Sequence, residues 1–251
     1  MSALYERTGD GAYLPSPLTR GPWDPAAQHG GAPAALIGGA LEHPGMRLAR
    51  VTYELLRPVP LAELALETEV TRPGRRVQLV EARLRAGDEL VVRASALRLR
   101  RGEGPAAGDP EPSLPPPEGG RAKLGTEPTF ANEANDIRFV HGGYDTPGPA
   151  ATWLRLTVPV VAGEPTSPAQ RALAAADFGN GVSAALDWDA WSFINPDLTV
   201  YLERDPEGEW IALDAVTRLE PDGTGTAESV LHDERGRFGR AVQALLVQPR
   251  R

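Results

Sequence analysis

The heptapeptide L-T-V-Y-L-E-R at Leu198–Arg204 decides the fold, because V-T-Y-E-L-L-R at Val51–Arg57 has already presented the same pattern once. In the earlier copy Val51, Tyr53 and Leu55 alternate with Thr52, Glu54 and Leu56, the period of a half-buried strand. A single shift carries Val51 onto Leu198, Thr52 onto Thr199, Leu55 onto Leu202 and Arg57 onto Arg204. With no gap it also carries Leu66 onto Leu213, Glu81 onto Glu228, Leu84 onto Leu231, Arg93 onto Arg240, Ala94 onto Ala241 and Leu99 onto Leu246. One register held over four strand-like segments is the mark of an internal duplication.

Working outward, the first copy reads as strands at Leu64 to Val70, Val77 to Arg85 and Leu90 to Arg100, after a helix from Gly30 to Leu41 that stops near Pro44 and Gly45. A run of strands after one helix indicates α+β with an antiparallel sheet, not alternating βαβ. Each copy is expected to be a helix plus a four-strand meander, with a curved sheet around one apolar helix, the two copies pairing so that sheet edges are hidden. The shift carries Gly30 onto Asp177. In A-A-A-D-F-G-N-G-V-S-A-A-L at Ala174–Leu186, the apolar residues Phe178, Val182, Ala185 and Leu186 recur at helical spacing, so the second helix is expected to start at Asp177. A carboxylate in an apolar run is costly unless it caps a helix, is paired or does chemistry.

Between the copies the composition changes. Residues 102–129 hold seven prolines with several glycines and acidic residues, too long for a structureless loop inside one compact unit and suited to a linker. The units are therefore expected at 1–101 and 130–251, joined by 102–129.

Composition narrows the chemistry. Against 26 Lys plus Arg stand 34 Asp plus Glu, a net charge of −8, which argues against a nucleic-acid partner. There is no cysteine, so thiolate nucleophiles and disulfides are excluded, and the four histidines have no metal-ligand spacing, so no metal or organic cofactor is expected. No apolar run reaches the length of a membrane span, and a soluble cytoplasmic protein is expected. Ser183 lies in G-V-S-A-A, not in a nucleophile elbow.

Q-H-G-G-A-P-A-A-L at Gln28–Leu36, D-F-G-N at Asp177–Asn180, the strand Leu198–Arg204 and G-R-A-V-Q-A-L-L-V at Gly239–Val247, in that order and spacing, resemble the double hotdog acyl-CoA thioesterases. The resemblance implies a double hotdog fold, hydrolysis of acyl-CoA to free acid and CoA in fatty acid metabolism, and association into a homodimer. It also implies a site. In that family an aspartate at the start of the second-half helix, a hydroxyl residue before the following strand and a glutamine on the last strand carry the reaction. Asp177 matches the aspartate and Gln243 the glutamine. The hydroxyl position falls on Asn195, a departure from the family pattern, although an amide still donates and accepts.

Asp177, Asn195 and Gln243 are thus the candidate catalytic residues, orienting or deprotonating a water, with Gly30 and Gly31 lining the site and backbone N–H groups at a helix start holding the oxyanion. His29 is a candidate substrate contact, though it also suits a surface position beside a helix start. Trp153, Trp188, Trp191 and Phe193 are candidates for an acyl tunnel or plain core. Two other readings stay open: a non-catalytic acyl-CoA or lipid-binding protein, kept alive by Asn195, and an enoyl-CoA hydratase, disfavoured because no histidine follows Asp177 closely.

Overall fold

The computed structural model describes residues 3–105, 107, 111–116 and 119–250. Among them, thirteen strands join in one antiparallel sheet. In the first half these are β1 (Tyr5–Gly9), β2 (Ala12–Pro15), β3 (Met46–Leu55), β4 (Leu64–Arg72), β5 (Val77–Ala86) and β6 (Glu89–Arg100). The second half supplies β7 (Asn135–Gly143), β8 (Thr146–Leu156), β9 (Trp191–Ile194), β10 (Asp197–Leu202), β11 (Ile211–Leu219), β12 (Thr224–Asp233) and β13 (Gly236–Pro249). Three α-helices accompany them, α1 (Gly31–Leu41), α2 (Pro168–Ala176) and the single turn α3 (Gly179–Val182), besides short helical turns at Pro17–Thr19 and Phe130–Ala134.

The sheet order is β1-β2-β4-β5-β6-β3-β10-β13-β12-β11-β8-β7, with β9 added beside β13. It reads as a palindrome under the sequence shift, β3 with β10, β6 with β13, β5 with β12 and β4 with β11. At its centre β3 pairs with β10, Thr52 faces Thr199, and their hydroxyls lie 3.1 Å apart. Those two threonines are each other's counterparts in the repeat, so a local two-fold axis passes between them.

The order corrects one expectation. The four strands of the first half are not a simple meander, because β3 lies beside β6 and not beside β4. This places β3 in the middle of the sheet, where Val51 and Tyr53 are buried and β10 supplies its outer partner.

Helix α1, G-A-P-A-A-L-I-G-G-A-L, is apolar all the way round and is buried accordingly. Its glycines make room for α2: a Cβ on Gly38 would lie 2.3 Å from Leu173 Cδ1, and one on Gly31 2.5 Å from the Ala174 carbonyl oxygen. The tyrosine of β3 reaches this layer, Tyr53 donating its hydroxyl to the Ala34 carbonyl at 3.0 Å.

The second-half helix departs further from expectation. It does not begin at Asp177 but ends there. Ser167 caps α2 with a complete capping box: its hydroxyl accepts from Gln170 N at 3.1 Å, and Gln170 Oε1 accepts from Ser167 N at 2.9 Å, with Pro168 at the first helical position. After Asp177 only one further turn forms, and Ser183 to Ala190 carry no helix, so Ala185 and Leu186 are not on one. Two glycines weaken the continuation, and Gly179 is held where a Cβ would come within 2.7 Å of Ser229 Oγ.

The Pro-rich stretch is anchored where it is described. Arg237 N donates to the Glu111 carbonyl at 3.2 Å, Ser113 Oγ to the Asp233 carbonyl at 2.5 Å and Trp153 Nε1 to the Pro115 carbonyl at 2.8 Å. Pro110 and Pro117 of that stretch lie outside the described residues. No helix among the described residues is long and apolar enough to cross a membrane.

Candidate active site

Asp177 stands where three chain segments converge: the C-terminal end of α2, the N-terminal end of α1, and the paired strands β10 and β13. Its side chain is 4% exposed. No helix N–H uses it as a cap. One oxygen, Oδ1, accepts from Asn195 Nδ2 at 2.8 Å and from Gln243 Nε2 at 3.2 Å. The other, Oδ2, lies 3.0 Å from His29 Nδ1.

Each partner is itself held. Gln243 projects inward from β13, also donates to the Asp177 carbonyl at 3.3 Å, and accepts from Asn180 N at 3.1 Å. Asn195, in the turn before β10, donates a second bond to the Asp197 carbonyl at 3.2 Å. Asn180 anchors the α3 turn through Nδ2 to the Phe193 carbonyl at 3.2 Å. His29 packs against Phe130 and Phe178, with ring centroids 5.1 and 4.5 Å away.

The helix dipoles sort the charge. A carboxylate at the C-terminal end of α2 is disfavoured by that helix and favoured by the start of α1, whose Gly30 is so close that a Cβ there would lie 2.8 Å from Asp177 Oδ2. Only a glycine admits the carboxylate at that spot. The N–H of Gly30 has no acceptor among the described residues and is a candidate donor to an oxyanion.

These groups lie at the bottom of an open cleft of about 720 Å³, lined by His29, Gly30, Asp177 and Asn195 at its base. One wall is aromatic: Trp23 stacks on Trp188 at 4.9 Å, with Phe193 edge-on to both at 5.1 and 4.6 Å. Arg57 and Arg250 also line the cleft. Such an arrangement of a buried, hydrogen-bonded carboxylate, an adjacent imidazole and an unpaired helix-start N–H at the end of a mainly apolar cleft suits attack by water on an acyl group.

Comparison with known proteins agrees. Residues 105–247 match the family model for the acyl-CoA thioesterase C-terminal domain, and residues 19–99 match that for the N-terminal domain. The chain belongs to the acyl-CoA thioesterase family. Its reaction is hydrolysis of an acyl-CoA thioester. Among solved structures the chain is similar to a candidate thioesterase II from Thermobifida fusca YX, with 20% identity, 97% of this chain and 95% of that chain covered, and a TM-score of 0.76. It is also similar to the acyl-CoA thioesterase II TesB2 from Mycobacterium marinum (15% identity, 98% and 95% covered, TM-score 0.67) and to a hot dog fold protein of unknown function from Alicyclobacillus acidocaldarius (18%, 94% and 93%, 0.75). These likenesses show a hotdog-type fold. No curated protein matches the sequence.

In this acyl-CoA thioesterase the expected residues divide. Asp177, Asn195, Gln243, His29 and Gly30 come together. Gly31 does not line the cleft: it is buried, its N–H pointing to His29 Nδ1 at 3.1 Å and its Cα against α2. His29 is not a surface residue beside a helix but a direct neighbour of the carboxylate. Of the four aromatic residues expected from the sequence only Trp188 lines the cleft; Phe193 supports the stack from behind, and Trp153 is buried with its indole bonded to Pro115. Sequence reasoning missed Trp23 and Asn180. Trp23 had no signal beyond its proline-flanked loop, whereas Asn180 stood inside the motif D-F-G-N.

Proposed function

We propose that Asp177 is the carboxylate on which water attack at the thioester depends, with Asn195 and Gln243 as the side chains that fix it and the Gly30 N–H as a donor to the developing oxyanion. The reading rests on one observation. A nearly buried carboxylate at the base of the cleft accepts from two side-chain amides and, among the described residues, from no helix-start N–H. Taking a carboxylate out of water is costly, and one held by directed donors at the base of a cleft suits a role in chemistry there.

The same reading takes the fold as two tandem hotdog units, 1–101 and 130–251, each with its sheet around a helix and joined by 102–129, with the acyl-CoA entering the cleft between them. The repeated strand spans and the pairing of β3 with β10 support it. Since one acyl-CoA occupies one cleft, one thioester is cleaved per chain at a time.

Asp177→Asn tests the assignment. The variant keeps the shape but replaces the charge, and acyl-CoA hydrolysis followed by free-thiol release should fall by about a thousandfold, or about 4 kcal/mol. Thermal melting checks that the variant folds. Full activity in a folded Asp177→Asn protein would sink the assignment.

A further inference from the structure

A CoA thioester brings a diphosphate and a 3′-phosphate to a protein whose own net charge is −8. Holding such a ligand takes a local excess of positive charge. Among the described residues that line the cleft, the only lysine or arginine side chains are Arg57 and Arg250, one from each half. Both are exposed, so they stand on the solvent side of the cleft, whereas Asp177 is buried at its base. The carboxylates of the lining are Asp177 itself, held by amides, and exposed Asp24, whose Oδ1 accepts from Ala26 N at 2.8 Å.

Each arginine is carried by a fixed piece of backbone. Arg57 follows β3 in a segment tied to the base of the cleft at both ends. Leu55 N donates to the Pro196 carbonyl at 2.8 Å, next to Asn195, and Gln28 N donates to the Val59 carbonyl at 2.8 Å, next to His29. Among the described residues the Arg57 guanidinium meets only exposed Glu89, at 3.0 Å, a pairing that a phosphate exchanges at small cost. Arg250 is held against the aromatic wall. Its backbone N–H donates to the Ala190 carbonyl at 2.9 Å, its Nη1 donates to the Trp188 carbonyl at 2.7 Å, and its guanidinium lies 5.6 Å from the Trp23 ring centroid. The other guanidinium nitrogens of Arg250 have no acceptor among the described residues and remain available to an anion.

We infer that Arg57 and Arg250 hold the phosphate groups of CoA, so that the pantetheine arm runs inward and brings the thioester to Asp177. The inference rests on the cleft being the acyl-CoA site, as proposed above. Planar guanidinium forks match phosphate oxygens, and two of them on separate halves fix the direction of the ligand as well as its affinity. An acyl group on pantetheine alone gives them nothing to grip. The two arginines are therefore specificity-determining residues, selecting a CoA thioester over the same acyl group on a phosphate-free arm.

The phosphate-free substrate makes the test. In the unaltered enzyme, kcat/KM for an S-acyl-pantetheine should lie about a hundredfold below that for the acyl-CoA with the same acyl group. Arg57→Gln and Arg250→Gln remove the charges, the latter keeping a donor for the Trp188 carbonyl. Each should raise KM for acyl-CoA about tenfold with kcat within about threefold, and leave KM for the acyl-pantetheine within about twofold. In the double variant the preference for CoA should largely vanish, together with the rise of KM with added salt. Melting confirms that each variant folds, and the substrate comparison in the unaltered enzyme stands whether or not they do. Equal kcat/KM on the two substrates in the unaltered enzyme overturns the inference. So does a folded double variant whose KM for acyl-CoA stays within about twofold, or one that loses both substrates equally, the mark of a loosened aromatic wall. Full activity of folded Asp177→Asn overturns instead the assignment of the cleft, so the two failures are distinguishable.

Discussion

Gly30 and Asp177 occupy the same place in the two halves and touch each other, yet one has no side chain and the other has the charge. The strands around them are near duplicates: the spans of β4 and β5 recur in β11 and β12 under the same shift that pairs Thr52 with Thr199. The helices are not duplicates. In the first half the helix follows the shared position, whereas in the second it precedes it and only a single turn follows. A group on or beside a two-fold axis meets its own counterpart, and two carboxylates in contact cannot both ionise without large cost. One carboxylate with neighbours from both halves is the stable solution: His29 lies beside it from the first half, and Asn195 and Gln243 donate to it from the second. Asymmetry at the axis is thus the condition for having a charged site there at all.

Breaking that asymmetry should have the largest effect. Gly30→Asp puts a Cβ where Oδ2 already lies at 2.8 Å and a second negative charge beside the first. A loss of about 4 kcal/mol in urea unfolding is expected, together with loss of activity. Adding Asp177→Gly should recover most of the stability, because one carboxylate remains, but not the activity, because Asn195 and Gln243 are placed for a carboxylate on the other side. Wild-type stability in Gly30→Asp alone would mean that the two positions are not locked together.

The turn between β12 and β13 gives the next contrast. Asp233 is fully buried, and although burial raises its carboxyl, hydrogen bonds from Arg204 and from the N–H groups of Glu207 and Arg235 outweigh this and hold it below the usual carboxylate range. The first-half counterpart of Asp233 is Ala86, and no such lock forms. Asp233→Asn should cost about 3 kcal/mol at neutral pH, because it leaves Arg204 partly buried without its anion. Since the folded carboxyl is depressed, the stability it contributes is present above the ordinary carboxylate value and is lost as pH falls through the folded one. The gap between wild type and variant in urea unfolding should therefore narrow below about pH 4. A gap that widens with acid would contradict the assignment.

A smaller effect is expected at Asn195, which stands where the resembling family has a hydroxyl. Asn195→Ala removes the 2.8 Å bond to Oδ1 but leaves Gln243 on the same oxygen. Acyl-CoA turnover should fall by about tenfold, or about 1.4 kcal/mol, well short of the loss in Asp177→Asn. Asn195→Thr, which restores a hydroxyl donor, should lose less than Asn195→Ala in the same assay.

Much of this was legible along the chain because strands announce themselves locally. Half-buried alternation marked β3 to β6, and the repeat transferred them to β10 to β13. The hairpin of β7 and β8 escaped because Pro147 and Pro149 look like breakers; they precede Ala150, where the pairing of β8 with β11 begins, and so disturb no ladder bond there. The second helix starts earlier than Asp177 suggests because S-P-A-Q at Ser167–Gln170, with its capping box and proline, is the stronger start signal. Asp177, Asn195 and Gln243 came from the resemblance, but which of them would meet His29 or Trp23 depends on how distant segments pack, and no local pattern carries that.

The smallest effect tests how far the equivalence of the halves extends. Arg57 and Arg204 are counterparts at the ends of β3 and β10, yet Arg204 is gripped by buried Asp233 while Arg57 stands at the cleft, 64% exposed and, among the described residues, paired only with exposed Glu89 at 3.0 Å. An exposed pair gains little after screening and side-chain entropy. Arg57→Ala should therefore shift Tm by no more than about 2 °C, whereas Arg204→Ala should lower it several times as far, by stranding the Asp233 carboxylate. Equal losses in the two variants would show that Arg57 bears a structural burden like its counterpart. Unequal ones would mean that duplication copied the arginine while only the second half kept the partner that makes it structural, leaving the first-half copy free beside the cleft.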